Sequence, residues 1–154
     1  MKNTKPGAAK TLKVDKNFTP CPIDKGDELF QNGIFVFNIT KMIDFIQQHP
    51  SKFVPESIAV EEHYTGFNTI NEDHLGSCIS SGPVLLAEIS PGMYNLVDGN
   101  HRMEKAHRAG KEAVMAYTIG VDDHIKFLTT HNAYKAYVEY WNSKLKQLRK
   151  YLQM

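Results

Sequence analysis

The sequence predicts an α+β domain, a small mixed sheet with helices around it, followed by a helical extension at the C-terminal end. Three observations predict it. The chain has 154 residues, 42% of them hydrophobic and 23% charged, which suits one soluble domain with a real core. Met93 to Ile119 reads as strand, tight turn, short helix and strand. From about Asn132 onward the apolar residues recur at spacings of three and four, the mark of a long amphipathic helix. The expected organisation is a basic tail over 1–20, the mixed domain over 21–120 and the extension over 121–154.

In residues 1–20, Lys2, Lys5, Lys10, Lys13 and Lys16 are interleaved with Pro6, Gly7 and small or polar residues, without a period. A loosely attached arm is expected, able to touch nucleic-acid phosphates. Pro20 and Pro22 disfavour a helix start, and Asp24-Lys-Gly-Asp marks a turn. Ile34–Ile39 is rich in aromatic and β-branched residues and predicts a strand. Asn38 or Thr40 then caps a helix carrying Met42, Ile43, Phe45 and Ile46, which must end near His49-Pro50. Ser57–Glu61 is a further strand candidate. The adjacent carboxylates Glu61 and Glu62 would point to opposite faces of a strand, so at most one can face a cleft. Between Asn68 and Ser81 a short helix is expected, with Asn71-Glu-Asp as its acidic first turn, before Ser80-Ser-Gly-Pro breaks the chain and Val84–Ile89 forms a strand.

The central stretch follows Pro91-Gly92. Tyr94, Leu96 and Val97 predict a strand, and Asp98-Gly99 ends it because Gly99 can take a positive φ without steric cost. Asn100 is expected to cap a helix over His101–Ala109 that stops at Gly110, with Val114–Ile119 returning as a strand. The first N–H groups of a helix lack intrahelical partners and carry the positive end of its dipole, so anions bind there. Here that end also carries Asn100, His101 and Arg102, and Arg102 offers a planar fork matched to phosphate oxygens. At spacings of four and seven, His101, Lys105 and Arg108 should share a face, while Met103, Ala106 and Gly110 share an apolar one that packs on the sheet.

After Ile119 the helical part begins at Asp122-Asp123. Tyr134, Tyr137, Val138, Trp141, Leu145, Leu148 and Leu152 form the apolar stripe, opposite Lys135, Glu139, Lys144, Lys146, Arg149 and Lys150. The stripe is expected to pack on the sheet or to pair with a second copy as a homodimer. Stacking of single-stranded bases would require Tyr137 and Trp141 to be exposed.

Other chemistries find little footing. A net charge of +1 gives no global attraction to nucleic acid, so DNA binding would need a local patch. No apolar run suits a membrane span or a signal peptide, and Cys21 and Cys78 are isolated thiols, so a cytoplasmic protein without a membrane partner is expected. Seven histidines invite a metal, yet His101 and His107 fall on different sides of their helix and no HxxxH or HExxH spacing occurs. No dedicated metal site is expected. Walker, GxGxxG and GxSxG patterns are missing too.

Pro83-Val-Leu-Leu-Ala-Glu-Ile, followed by Tyr94-Asn-Leu-Val-Asp-Gly-Asn-His-Arg-Met-Glu-Lys-Ala-His-Arg-Ala-Gly, resembles the core of the ParB/sulfiredoxin superfamily. In ParB N-terminal domains the polar motif reads roughly G-E-R-R and holds nucleotide phosphates. In sulfiredoxins it reads G-G-C-H-R, with a Cys nucleophile and a His-Arg pair that helps bind ATP. Gly99, His101 and Arg102 match the latter pattern, and Asn100 stands in place of the Cys, which removes the sulfiredoxin reaction. The D-G-N-H-R form looks more like bacterial ParB-like proteins described only as nuclease- or kinase-like. The resemblance implies a nucleotide or other phosphate ligand held by Gly99, Asn100, His101, Arg102 and Lys105. It further implies NTP hydrolysis or phosphoryl transfer served by Asp98 and His101, with magnesium arriving on a nucleoside triphosphate. Some kinase-like members use an upstream acidic residue as a base, a role for which Glu61 or Glu62 is a candidate. Asn68, Asn71 and His74 are candidates to border the nucleotide. The alternatives are a DNA-binding, nuclease-like module and a protein–protein adaptor without catalysis.

Overall fold

The computed structural model describes residues 9–64 and 82–153. The chain begins its regular structure with an antiparallel hairpin, β1 (Leu29–Asn32) and β2 (Phe35–Asn38), turned at Gly33 with φ +61°. Helix α1 (Ile39–Gln47) follows at once, because Asn38 accepts the amide of Lys41 at 3.1 Å as its N-cap. The Asn38 side chain is fully buried and donates to Asp27 Oδ2 at 2.7 Å and to the Pro22 carbonyl at 3.0 Å, which ties the cap to the preceding loop. Thr40, the other expected cap, instead accepts the Glu28 amide at 2.8 Å.

Strand β3 (Glu56–Ala59) runs directly into a single helical turn, α2 (Val60–His63). The expected strand over Ser57–Glu61 therefore ends early. Buried Val60 begins the helical turn instead of extending the edge strand, and Glu61 and Glu62 lie on the exposed side of α2. Strands β4 (Val84–Ser90) and β5 (Met93–Asp98) form a hairpin, helix α3 (Asn100–Arg108) crosses over, and β6 (Ala113–Ile119) lies parallel to β4. The sheet order β3-β6-β4-β5 makes this a mixed sheet, and the chain is α+β as the sequence predicts.

β4 shows why the molecule is layered. Val84 and Leu86 point to one face, where they meet Met103 and Ala106 of α3 together with Ile58, Val60 and Ala116. Leu85, Ala87 and Ile89 point to the other, beneath Ile39, Met42 and Ile46 of α1. Strand alternation thus supplies two cores from one sequence run, and the near-continuous apolar stretch follows from burial on both faces. After β6 come a short helix α4 (Val121–His124), a 3₁₀ turn at Ile125–Phe127 and the long helix α5 (His131–Leu152), capped by Thr130 on the Ala133 amide at 3.0 Å.

Two expectations about the chain ends need correction. Helix α5 is no appendage: Tyr137 and Trp141 are buried in the same core as α1 and β4, and the Tyr137 hydroxyl donates to the Ile89 carbonyl. Nor are residues 9–18 a loose arm. They lie along α5, with Trp141 Nε1 donating to the Lys10 carbonyl at 3.1 Å and Phe18 stacked on Tyr134 at 3.9 Å between ring centroids. Asn142 both accepts from the Leu12 amide and donates to its carbonyl, each at 2.8 Å. Recognition of this segment runs through its backbone, which is why its side-chain sequence carries no period. Among the described residues, no helix is long and apolar enough to cross a membrane.

Candidate functional site

The end of β5 places Asp98, and the chain then turns through Gly99 at φ +97° and ψ +24°, a left-handed conformation. A Cβ at Gly99 would stand 2.7 Å from Val84 Cγ1 and 2.9 Å from Val84 Cβ, so the turn is pressed against β4 where only hydrogen fits. Gly99 is itself the N-cap of α3, its carbonyl accepting the Met103 amide at 2.9 Å, and no side chain caps the helix. The expectation that Asn100 is the cap is thus corrected. The left-handed turn comes one residue earlier, so Asn100 is already helical. Its Oδ1 is buried without a hydrogen-bond partner.

Arg102 Nη2 donates to Asp98 Oδ2 at 3.0 Å. Nη1 stands 3.4 Å from where a Gly82 Cβ would be, and Nη2 stands 3.1 Å from that of Gly99. The guanidinium is therefore held on one edge by a carboxylate and flanked by two glycine backbones, which fixes the direction of its donors. Glu28 joins this group from the loop before β1. Desolvation pushes its carboxyl above the usual range, the Asp98 charge adds to that, and Arg102 partly offsets it.

A cleft of about 460 Å³ runs along α3. Its helix wall is Arg102, Lys105, Ala106 and Ala109, at spacings of three, four and seven. The remaining lining includes Gly82, Pro83 and Val84 at the start of β4, Lys111, and Val114 and Met115 of β6. Three cationic side chains border the cleft, no carboxylate lines it among the described residues, and the floor is apolar. The cationic face is rotated from the one expected. Lys105 belongs to it, but Arg102 replaces His101 and Arg108, because Met103 and Ala106 set which side of α3 packs on the sheet.

The opposite flank of α3 carries a second polar group. Glu104, buried among apolar neighbours, accepts the Tyr64 hydroxyl at 2.9 Å and Arg108 Nε at 3.1 Å. The Tyr64 ring stacks on His107 with 3.7 Å between centroids. That hydrogen bond is the main reason the phenol is held above its ordinary range. These contacts link α2 to α3, and α3 closes in a Schellman arrangement, with Lys111 N donating to the Ala106 carbonyl at 3.0 Å and Gly110 at φ +71°.

Of the site residues expected from sequence, Asp98, Gly99, Asn100, His101 and Arg102 sit together at the β5–α3 turn, and Lys105 lies one helical turn on. Glu61 and Glu62 do not line the cleft. Asn68, Asn71 and His74 fall outside the described residues. Glu28 and Lys111 were not anticipated. Glu28 lies 70 positions from Asp98 and meets it only through tertiary folding, while Lys111 follows the helix stop as an ordinary turn cation. No family model, curated protein or solved structure matches the chain.

Proposed function

We propose that the chain binds a phosphate-bearing ligand, a nucleotide foremost, in the cleft beside α3, and transfers or hydrolyses its phosphoryl group there. The observation that carries the reading is the cleft lining itself. Arg102, Lys105 and Lys111 border it without a lining carboxylate, and Arg102 is oriented by Asp98. Two cations one turn apart at the start of a helix suit the equatorial oxygens of a phosphoryl group, on which charge must be stabilised during transfer. The likeness of Gly99, His101 and Arg102 to the superfamily motif supports the same reading.

Asp98 acts as a positioning residue for Arg102. Glu28, whose raised carboxyl stands beside Asp98 and Arg102, takes the role of proton acceptor from water or an acceptor hydroxyl, in place of Glu61. Among the described residues no three His, Cys, Asp or Glu side chains converge on a cation position, so magnesium would arrive bound to ligand phosphates, with Asp98 and Glu28 as the nearest carboxylates. DNA binding by base stacking is disfavoured, since Tyr137 and Trp141 are buried. The face on which pairing of two copies, or an adaptor interface, would have rested is taken up inside the chain.

Thermal unfolding against a panel of nucleoside di- and triphosphates with magnesium tests the reading. A ligand at a hundred times its Kd stabilises by about 2.7 kcal/mol, several degrees for a domain of this size. The shift is expected with the native protein and lost in Arg102→Ala/Lys105→Ala. Glu28→Gln should keep the shift and lose turnover. No shift at millimolar ligand would refute the proposal.

A further inference from the structure

We infer that the cleft takes an elongated ligand with an anionic group at each end and an apolar middle, and that Lys111 is the residue that reads the far end. The inference rests on the phosphate reading above and adds the substrate class. Arg102 and Lys105 stand near the start of α3 and serve one anion between them. Ala109, at the other end of the helix wall, is seven residues beyond Arg102, which at the α-helical rise is about 10 Å. Lys111 lies past that point. Its backbone is pinned by the bond from its amide to the Ala106 carbonyl, so it belongs to the wall and not to a wandering loop.

A single phosphate cannot occupy both ends of such a cleft. Between them lie Val84, Ala106, Val114 and Met115, a floor that offers no side-chain hydrogen bond and favours a hydrocarbon or flat apolar group. Met115 is 47% exposed, as an unoccupied apolar floor would leave it. Without a lining carboxylate to neutralise it, Lys111 adds a second positive end to a cleft that already has one. Charge at both ends and apolar surface in the middle define the complementary molecule. Its distal anion is a phosphate or a carboxylate.

Calorimetric titration at low ionic strength with hexyl phosphate, hexanediol bisphosphate and phosphonooxyhexanoate separates the possibilities. The two-ended ligands should bind about fivefold more tightly than hexyl phosphate, the size of a partly screened ion pair. Lys111→Ala, a change at an exposed side chain, should erase that advantage and leave hexyl phosphate unaffected. Preference between the bisphosphate and the carboxylate identifies the distal group. Equal binding of one-ended and two-ended ligands, or an advantage that survives Lys111→Ala, would overturn the inference while leaving the phosphate site standing. Failure of all three ligands to bind at millimolar concentration would overturn both.

Discussion

Replacing Gly99 by alanine tests the turn that delivers Arg102. Gly99 adopts φ +97°, where a Cβ costs about 1–2 kcal/mol from local sterics alone. That Cβ would also stand 2.7 Å from Val84 Cγ1, well inside van der Waals contact, and Val84 is 1% exposed, so neither partner can yield into solvent. Overpacking of this kind adds about 1–3 kcal/mol, giving a total of about 2–5 kcal/mol. The two contributions separate in a double-mutant cycle. Val84→Ala alone leaves a cavity and is destabilising, but in its presence the overpacking vanishes and Gly99→Ala should cost only the left-handed part. Urea unfolding of the four proteins measures the coupling. If Gly99→Ala costs the same in both backgrounds, the close approach of the turn to β4 is wrong. The same substitution presses on the Arg102 guanidinium, 3.1 Å from the new carbon, so ligand affinity should fall alongside stability.

Two other predictions concern the frame around the site. His124 is fully buried and donates from Nε2 to the Glu88 carbonyl, with its Nδ1 unpartnered, and burial pushes its pKa down to about 4 from 6.5. The neutral form is the one that folds, so its contribution is intact above pH 6.5 and is lost as pH falls toward 4, by about 3 kcal/mol in all. Denaturation across that window should show the slope, and His124→Gln should flatten it; an equal slope in both proteins would contradict the assignment. Asn142→Ala removes the paired bonds to Leu12 and should release residues 9–18 at a cost of about 1–2 kcal/mol, read as faster amide exchange at Leu12 and Asp15. Unchanged exchange there would show that the segment is held by other means.

Much of the fold was legible because period and punctuation coincide. Asn38 before an apolar helical run, Asp98-Gly99 after a strand and Gly110 after a basic turn each mark an element end by its own local chemistry. What local chemistry does not carry was misread. Residues 9–18 are bound through their backbone by Trp141 and Asn142, more than a hundred residues away, so their side chains give no sign of it. Val60 continues an apolar pattern that strand and helix share, and burial on the α3 side decided for the helical turn. The cap moved from Asn100 to Gly99 because the left-handed turn needed a residue without a side chain. At the site, the Asp98–Arg102 neighbourhood was readable from spacing along one turn, whereas Glu28 and Lys111 join it only in three dimensions.

The central claim is that phosphate ligands enter the cleft at the start of α3. Amide chemical-shift mapping during titration with a magnesium nucleoside diphosphate tests it most directly. The account predicts saturable shifts concentrated at Gly82, Gly99 to Arg102 and Lys105, extending toward Lys111 as the ligand lengthens. Shifts confined to the basic side of α5, or none at saturating ligand, would contradict it.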